Sequence, residues 1–154
     1  MTLSDELRQV NTIFIDTAPI IYFIEANPQF GSLAKEVVDS FQTGRISAFT
    51  SVITLTEVLS KPLENKDEEL AGKFAEFLEH GKSLGLVEIS ASVAKNAGKL
   101  RGHYPHLRTI DAIQISAASE AAADVFVTND RSLKQIGEIK VLILSDYLEH
   151  GTYY

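Results

Sequence analysis

Residues 108–130 read RTIDAIQISAASEAAADVFVTND, and this stretch decides the fold that we predict for the chain. Apolar residues recur at helical spacing in its first half and predict an amphipathic helix; they are Ile110, Ile113, Ala117 and Ala121. The β-branched and aromatic run at 125–127 follows at once and predicts a buried strand. Asp111 then lies in the first turn of the helix, and Asp130 lies just past the strand. Because ligands bind at the carboxyl edge of an open parallel sheet, we expect these two carboxylates to converge there.

The same alternation of strands and helices runs through the rest of the chain. Further apolar runs predict strands at 12–15, 46–49, 86–89 and 141–144. Helical patterns cover residues 17–24, 32–41, 51–59, 70–78 and 93–100, and Pro62 is expected to end the third of them. Strands separated by helices form βαβ units, so the sequence predicts the α/β class with a mostly parallel sheet covered on both faces. If the strand order reverses in the middle of the sheet, a ligand crevice is expected at that point.

Length and composition indicate an ordinary globular protein. At 154 residues, a single domain spanning 1–154 is expected. Cysteine is absent, which excludes disulfides, thiolate zinc sites and cysteine nucleophiles and is compatible with a reducing cytoplasm. The first ten residues carry acids as well as Arg8 and contain no apolar run of signal-peptide length. We therefore expect a cytoplasmic protein without a membrane partner.

The formal net charge of −7 argues at first against a nucleic-acid partner, because phosphate binding normally leaves a basic surface. The distribution of the charge modifies this conclusion. Between Glu88 and Asp111 there is no acidic residue, whereas the basic residues of that interval are Lys95, Lys99, Arg101, His103, His106 and Arg108. Arg101 and Arg108 could contact nucleic-acid phosphates or could be solvated charges beside a helix end. The histidine spacing could suit a metal on a helix, but Gly102 and Pro105 are expected to break that helix.

Four acids are candidates for the carboxyl edge of the sheet: Asp16, Glu57, Asp111 and Asp130. Each has a purely structural explanation when it is taken alone. An aspartate directly after a strand is a favoured helix cap, one in a first turn interacts well with the helix dipole, and one in a Thr-Asn-Asp turn fits a cap or a turn position.

Glu57 has two structural interpretations that the sequence leaves open. It completes a Thr54-x-x-Glu57 capping box, in which its side chain would bond the start of the helix. Ser51 is an equally good helix start, and in that case Glu57 lies one to two turns inside the helix without a capping role.

A group of carboxylates requires a compensating positive charge. Two like charges about 4 Å apart cost roughly 4 kcal/mol at an effective dielectric near 20. Because the residues near these points offer only carboxylates and hydroxyls, a bound cation would have hard oxygen ligands, which suits Mg²⁺ or Mn²⁺. Such ions polarise phosphates and lower the pKa of bound water, which is the chemistry of phosphodiester hydrolysis. Two divalent ions would change the net charge to about −3 and turn a repellent pocket into a phosphate site.

Four segments resemble, in order and spacing, the successive motifs of the PIN domain family, and they match the VapC toxins of toxin–antitoxin pairs most closely. The segments are residues 13–17, 56–58, 107–112 and 125–130, so the resemblance spans nearly the whole chain. The resemblance implies a PIN-like α/β/α sandwich with a mostly parallel central sheet of about five strands. It also implies a homodimeric, metal-dependent endoribonuclease that hydrolyses RNA with Mg²⁺ or Mn²⁺, and a cognate antitoxin as partner.

The resemblance also assigns roles to individual residues. The catalytic and metal-binding quartet would be Asp16, Glu57, Asp111 and Asp130. On the same basis Thr128 and Asn129 would support the metal pocket. Apart from the resemblance, the hydroxyl of Thr17 is a candidate donor to a water bound to the cation. Some relatives carry a further acid shortly after the last aspartate, whereas this chain has Arg-Ser-Leu at 131–133, so the number of metal ions stays open.

Other functions remain as alternatives. The main one is a non-catalytic PIN-like module that binds RNA or a protein, and the complete quartet argues against it. A phosphatase of the haloacid dehalogenase type would need a second acid two places after Asp16, where the chain has Ala18. A receiver domain would need an aspartate after a middle strand, and residues 49–51 contain none.

Overall fold

A five-stranded parallel sheet lies at the centre of the computed structural model, which describes residues 1–149. Its strands are β1 Thr12–Ile15, β2 Ser47–Ser51, β3 Leu84–Val87, β4 Val125–Thr128 and β5 Lys140–Ile143. They lie in the order β3-β2-β1-β4-β5, and each neighbouring pair is parallel. The predicted α/β class and sheet are confirmed. Over residues 1–149, no helix is both long and apolar enough to cross a membrane.

The central strands are built from side chains that are buried on both faces. β1 and β4 consist almost wholly of β-branched and aromatic residues, as is typical of strands with helices on each side. Ile13 lies opposite Val125 and joins one core, whereas Phe14 lies opposite Phe126 and joins the other. The two phenylalanine rings stack with their centroids 5.5 Å apart. This alternation of side chains gives the sheet two hydrophobic faces, each of which requires a helical cover.

Helices cover both faces and complete an α/β/α sandwich. They are α1 Leu3–Arg8, α2 Thr17–Ile24, α3 Gly31–Gln42, α4 Val52–Glu64, α5 Glu68–His80, α6 Ala91–His103 and α7 Thr109–Glu120. Helices α1 to α5 contribute to one hydrophobic core, and α6 and α7 contribute to the other. Short 3-10 helices at Arg131–Gln135 and Leu144–Tyr147 follow β4 and β5.

The strand order reverses at β1, as the crevice prediction requires. The chain moves from β1 through β2 to β3 on one side, and then returns to place β4 and β5 on the other side. The carboxyl ends of β1 and β4 are therefore neighbours that lead away in different directions. Such a reversal leaves a crevice that the connecting loops line.

The prediction that Pro62 ends the helix after β2 is wrong, because α4 continues to Glu64. Pro62 is buried in the last turn of α4, and its carbonyl accepts the Asp67 N–H at 2.8 Å. A proline this close to the helix end removes one internal hydrogen bond, and the burial of its ring offsets that loss.

The helix α7 is confirmed, but its predicted apolar face is only partly correct: Ile113 and Ala117 pack in the core, whereas Ile110 and Ala121 do not belong to it. Ile110 is 37% exposed, and Ala121 lies beyond the last helical residue. The buried positions instead surround most of the helix: Asp111, Ala112, Gln114, Ile115, Ser116, Ala117 and Ala118. Because α7 packs against both α6 and the sheet, it has no single apolar stripe for a periodicity argument to find.

Two smaller differences concern local boundaries. Helix α1 was not predicted; its start is a capping box in which Thr2 and Asp5 bond each other's backbone N–H. Strand β3 lies two residues before the predicted run at 86–89, and it pairs along β2 from Ala48 to Ser51. Pairing with a neighbouring strand sets such bounds, and the local apolar run does not contain that information.

Candidate active site

A single cavity at the carboxyl ends of β1 and β4 brings the predicted site residues together. It has a volume of about 480 Å³. All seven predicted residues line it: Asp16, Thr17, Glu57, Asp111, Thr128, Asn129 and Asp130. Two basic residues, Arg108 and Arg131, line it as well. The acids come from four separate parts of the chain, because the loops after β1 and β4, the second turn of α4 and the first turn of α7 all open onto this edge.

Asp16 follows β1 directly and caps α2, where its Oδ1 accepts the Thr17 N–H at 2.9 Å. The Thr128 hydroxyl donates to its Oδ2 at 2.8 Å. Burial raises the pKa of Asp16 to about 6; the carboxylates of Asp111 and Glu57 also raise it, while the two hydrogen bonds act in the opposite direction. Ionised Asp16 is therefore electrostatically unfavourable in the absence of a nearby cation.

Glu57 is exposed and lies in the second turn of α4. Ser51 caps this helix, since its Oγ accepts the Ile53 N–H at 3.1 Å. The capping-box interpretation with Thr54 is therefore wrong, and Glu57 has no capping role. The Thr17 hydroxyl donates to Glu57 Oε1 at 2.7 Å and so joins α2 to α4 beside the cavity.

Asp111 is 6% exposed and forms an ion pair with Arg108 at the start of α7. Arg108 Nε donates to Asp111 Oδ2 at 2.8 Å, and a terminal nitrogen of the guanidinium donates to Oδ1 at 3.2 Å. The hydrogen bond and charge of Asp111 raise the pKa of Arg108, and the charges of Asp130 and Glu57 act in the same direction. Arg108 therefore interacts electrostatically with three of the four acids. Sequence reasoning missed this pair, although a three-residue spacing at a helix start was a signal for it.

The loop after β4 is held by hydrogen bonds on both sides. The Thr128 hydroxyl, which donates to Asp16, also accepts the Asp130 N–H at 3.1 Å. Asn129 Nδ2 donates to the Tyr22 hydroxyl at 3.1 Å, and its Oδ1 accepts a backbone N–H that follows β5 at 2.9 Å. These contacts fix the backbone that presents Asp130 to the cavity.

Asp130 itself caps the 3-10 helix that follows it. Its Oδ1 accepts the Ser132 N–H at 3.0 Å and the Ser132 hydroxyl at 2.7 Å. The cap interpretation of Asp130 is therefore correct, and the residue lines the cavity at the same time.

A family model of the PIN domain matches residues 13–139 of the chain. The matched segment begins at the second residue of β1, extends past β4 and contains all four acids. The chain belongs to the PIN domain family. The resemblance on which the site residues were predicted is thus confirmed at the level of the family. No curated protein sequence matches the chain.

Solved structures of toxin–antitoxin proteins have the same PIN fold. VapBC2 from Rickettsia felis, described as bound to a promoter DNA fragment, has a TM-score of 0.70 and 20% identity over 86% of this chain and 98% of that chain. DNA-bound VapBC from Salmonella typhimurium has a TM-score of 0.68 and 20% identity, covering 87% and 98%. VapC20 from Mycobacterium tuberculosis, described as a Sarcin-Ricin loop cleaving toxin, has a TM-score of 0.67 and 16% identity, covering 84% and 98%. At these identities the comparisons establish the fold.

A buried polar network lies beneath the cavity of this PIN domain, and sequence reasoning missed it. Gln114 Nε2 donates to Thr54 Oγ1 at 2.8 Å and lies 3.5 Å from Asp16 Oδ1, while its Oε1 accepts the Ser51 hydroxyl. The hydroxyls of Thr50 and Thr54 are hydrogen-bonded to each other at 2.9 Å. Gln114, Thr54, Ser51 and Thr50 are all fully buried. A buried network with satisfied members rigidifies the elements that it joins, here α4, α7 and β2.

One sequence signal could have found the centre of this network. Gln114 lies three residues after Asp111, and therefore near the same side of α7. The neighbours of Gln114 in the chain are small or apolar, so an amide at this position requires partners once it is buried.

The donor atoms of the PIN site fit a hard divalent cation, since carboxylate and hydroxyl oxygens line the cavity and no cysteine exists to compete. The side chains do not yet surround a common point. Within residues 1–149, no three acidic or histidine side chains are grouped closely enough to hold a metal ion. Three of the acids have partners inside the protein: Asp111 pairs with Arg108, Asp130 accepts the Ser132 hydroxyl, and Glu57 accepts the Thr17 hydroxyl.

The basic residues before α7 lie outside the acidic group, with the exception of Arg108. Arg101 Nε donates to the Leu107 carbonyl at 3.0 Å. His103 is the last residue of α6, which runs through Gly102, so the expectation that Gly102 breaks the helix is wrong. His103 lines a different cavity, between α6 and α7, and His106 lies in the loop beyond the helix. The two histidines are therefore not one turn apart on a helix.

Proposed function

We propose that this chain is a metal-dependent endoribonuclease and the toxin of a toxin–antitoxin pair. The observation that carries the proposal is that four carboxylates line one cavity at the carboxyl edge of a parallel sheet: Asp16, Glu57, Asp111 and Asp130. Membership of the PIN family supports it. A structural neighbour, VapC20, is described as a toxin that cleaves the Sarcin-Ricin loop, which favours RNA as the substrate.

The proposal gives each acid a role. Asp16, Asp111 and Asp130 hold Mg²⁺ or Mn²⁺ directly, and Glu57 ligates the cation or orients the attacking water through a hydrogen bond. When bound, the cation supplies polarisation of the phosphate and a lower pKa for its water.

The supporting residues act on the position of these acids. Thr17 holds the Glu57 carboxylate through a 2.7 Å hydrogen bond. Thr128 holds Asp16 and, through the backbone, Asp130, so one hydroxyl sets the relative position of two ligands. Asn129 ties the same loop to α2. Supporting contacts of this kind typically change metal affinity or activity by about 10- to 100-fold.

The electrostatics of Asp16 also support a cation in this cavity. Burial raises its pKa to about 6, so at neutral pH the protein holds an ionised carboxylate that burial and two further acids disfavour. A divalent cation would remove this penalty. The same cation would turn an acidic cavity into one that attracts phosphate, which answers the objection raised by the net charge of −7.

Basic side chains at the rim support an RNA backbone as the ligand. Arg108 and Arg131 line the cavity, and their side chains are 74% and 65% exposed. Arginines at the mouth of the site would contact the phosphates on either side of the cleaved bond.

The proposal extends to domain organisation, partners and location. We take residues 1–154 as one PIN domain that forms a homodimer and acts in the cytoplasm. A cognate antitoxin would cover the acidic cavity, and the VapBC complexes among the structural neighbours support such a partner.

The test is cleavage of a labelled single-stranded RNA by the purified, antitoxin-free chain in Mg²⁺, in Mn²⁺ and in EDTA. The variant is Asp111→Asn. The matched control is Asp39→Asn, which removes the same charge from an exposed pair with Lys35 on α3. We expect cleavage by the wild type and by the control in metal, and none in EDTA or by Asp111→Asn.

Two outcomes would contradict the proposal. If the folded wild type cuts no RNA in either metal, the non-catalytic binding module is favoured instead. If Asp111→Asn cuts as fast as Asp39→Asn, the activity comes from another site or from a contaminant.

A further inference from the structure

Arg108 and Asp111 form the contact that most directly opposes metal binding in this cavity. The guanidinium engages both oxygens of the carboxylate, at 2.8 and 3.2 Å. The Asp111 side chain is 8% exposed, whereas that of Arg108 is 74% exposed. The acid is therefore fixed in the protein, and its partner is on the solvent side.

We propose that Arg108 is an exchangeable counter-ion: it offsets part of the negative charge of the cavity in the metal-free protein, and a divalent cation must displace it from Asp111 in order to bind. This inference rests on the proposed function, because it assumes that Asp111 ligates the cation. It adds a regulatory element from the chain itself, in which metal binding and release of the arginine are a single equilibrium.

The two residues are placed differently on α7. Asp111 lies in the first helical turn, which fixes its backbone, whereas Arg108 is the residue before the helix and makes no side-chain cap. Among residues 1–149, the Arg108 side chain donates hydrogen bonds to Asp111 alone. Breaking one ion pair thus frees the whole guanidinium, and no other part of the fold has to move.

The charge of Arg108 acts on the group of acids and not on Asp111 alone. Asp130 and Glu57 also interact with the Arg108 charge. A cation that enters among these carboxylates would therefore meet like-charge repulsion from Arg108 as well as competition for both Asp111 oxygens.

A similar pair elsewhere in the chain shows what a simple surface ion pair looks like. Arg8 and Asp5 have the same three-residue spacing, but they make one contact at 3.3 Å and both side chains are exposed, at 70% and 43%. Exposed ion pairs of this type contribute little to the stability of a protein. The Arg108 pair differs because its acid is buried and both oxygens are engaged.

Displacement would have a consequence for the substrate. Once a cation holds Asp111, the Arg108 guanidinium stays tethered at the mouth of the cavity with its hydrogen-bond donors free. A planar guanidinium is well suited to bind a phosphate with two hydrogen bonds. The arginine would thus become available to RNA only in the loaded site.

The test is isothermal titration calorimetry with Mn²⁺ on the full, antitoxin-free chain. The proteins are the wild type, Arg108→Gln, Arg108→Lys and the control Arg8→Gln, which removes the same charge far from the acids. We expect the Kd for Mn²⁺ to be about fivefold lower in Arg108→Gln than in the wild type. Arg8→Gln should bind as the wild type does. Arg108→Lys, which keeps the charge but not the two-point contact, should lie between them.

Circular dichroism and thermal melting show whether each variant is folded; if Arg108→Gln is not, Arg108→Lys carries the comparison. A Kd for Mn²⁺ that is equal to or higher than that of the wild type in the folded Arg108 variants overturns the proposal. Such a result would mean that Arg108 in the wild type does not compete with the cation for Asp111. That result leaves the proposed nuclease function intact. If none of the proteins, the Arg8→Gln control included, binds Mn²⁺, both the counter-ion proposal and the proposed function fail.

Discussion

Two aspartates at opposite edges of the sheet have different surroundings. Asp124 precedes β4 at the amino edge and is exposed, and its Oδ2 accepts the N–H groups of Asn11 and Thr12 at 2.8 and 3.0 Å. Asp16 follows β1 at the carboxyl edge, where it is partly buried and shares a cavity with three other acids. The first carboxylate joins the starts of two strands, and the second has a pKa raised by burial to about 6.

The difference teaches how to separate a structural acid from a candidate functional one. Asp124 has dedicated backbone donors and solvent, so its charge costs little and its hydrogen bonds help to hold β1 beside β4. Asp16 also accepts hydrogen bonds, but its neighbours repel its charge. A protein retains such an unfavourable arrangement where a ligand compensates for it.

The largest expected effect is on catalysis by the proposed nuclease. Asp16→Asn should lower the single-turnover rate of RNA cleavage in Mn²⁺ by about a thousandfold, because loss of a metal ligand removes several kcal/mol of charge stabilisation. Asp124→Asn should leave the rate within about twofold of the wild type. Equal losses of cleavage rate in the two variants would contradict the assignment of Asp16 as a functional acid and Asp124 as a structural one, since both substitutions would then lower the rate by disturbing the fold.

A smaller effect should come from the network under the carboxyl edge. Gln114→Leu should lower the free energy of unfolding by about 2 kcal/mol, because it leaves the buried hydroxyls of Ser51 and Thr54 without their amide partner. Urea denaturation measures this change. The control is Gln135→Leu in the exposed 3-10 helix, which should stay within about 0.5 kcal/mol of the wild type. Similar values for the two variants would show that the network adds no stability.

The third prediction concerns protein stability: removing the charge of Asp16 and removing that of Asp124 should change the free energy of unfolding in opposite directions. The pKa of Asp16 is near its ordinary value of 3.8 in the unfolded chain, and burial raises this pKa to about 6 in the folded protein. The folded state thus holds the proton more tightly, so stability falls as the pH rises from about 4 to about 6. Metal-free Asp16→Asn should therefore be more stable than the wild type at pH 7.5, by about 2 kcal/mol.

The matched variant should change stability in the opposite direction. Asp124→Asn loses the charge that strengthens two backbone hydrogen bonds, so it should be less stable by about 0.5–1 kcal/mol at pH 7.5. Urea denaturation in EDTA at pH 7.5 and at pH 3.5 measures both variants. The gain from Asp16→Asn should fall to a few tenths of a kcal/mol at the lower pH, where the carboxyl is mostly protonated in both states. A gain that persists undiminished there would mean that packing, and not charge, causes it.

The amount of the fold that could be predicted depends on how local each cause is. Residues 12–15 were predicted with the observed bounds because a buried central strand is apolar at almost every position. Pro62 was wrongly expected to end α4, since the compensating burial of its ring comes from the packed protein. The buried side of α7 was only partly correct for the same reason, because two neighbouring layers enclose that helix.

The candidate site shows a similar division. The four acids and their three supporting residues lie at strand ends or in the first two turns of helices, and their order along the chain matches the PIN motifs, so the sequence could predict them as a group. The partners of Gln114 could not be predicted in that way, because its contact with Ser51 joins residues 63 positions apart. The pairing of Arg108 with Asp111 is local in sequence, but its importance depends on the burial of the acid.

The sequence by itself determined the alternation of strands and helices and the residue types that stand at each strand end. These depend on hydrophobic periodicity and on the chemistry of single residues, which are local properties. Only the tertiary structure decided which acids share a cavity, which of them has a raised pKa and which arginine pairs with one of them. Burial and electrostatic interactions depend on distances through space, and the strand order β3-β2-β1-β4-β5 sets those distances by bringing Asp16 and Asp130 to one edge.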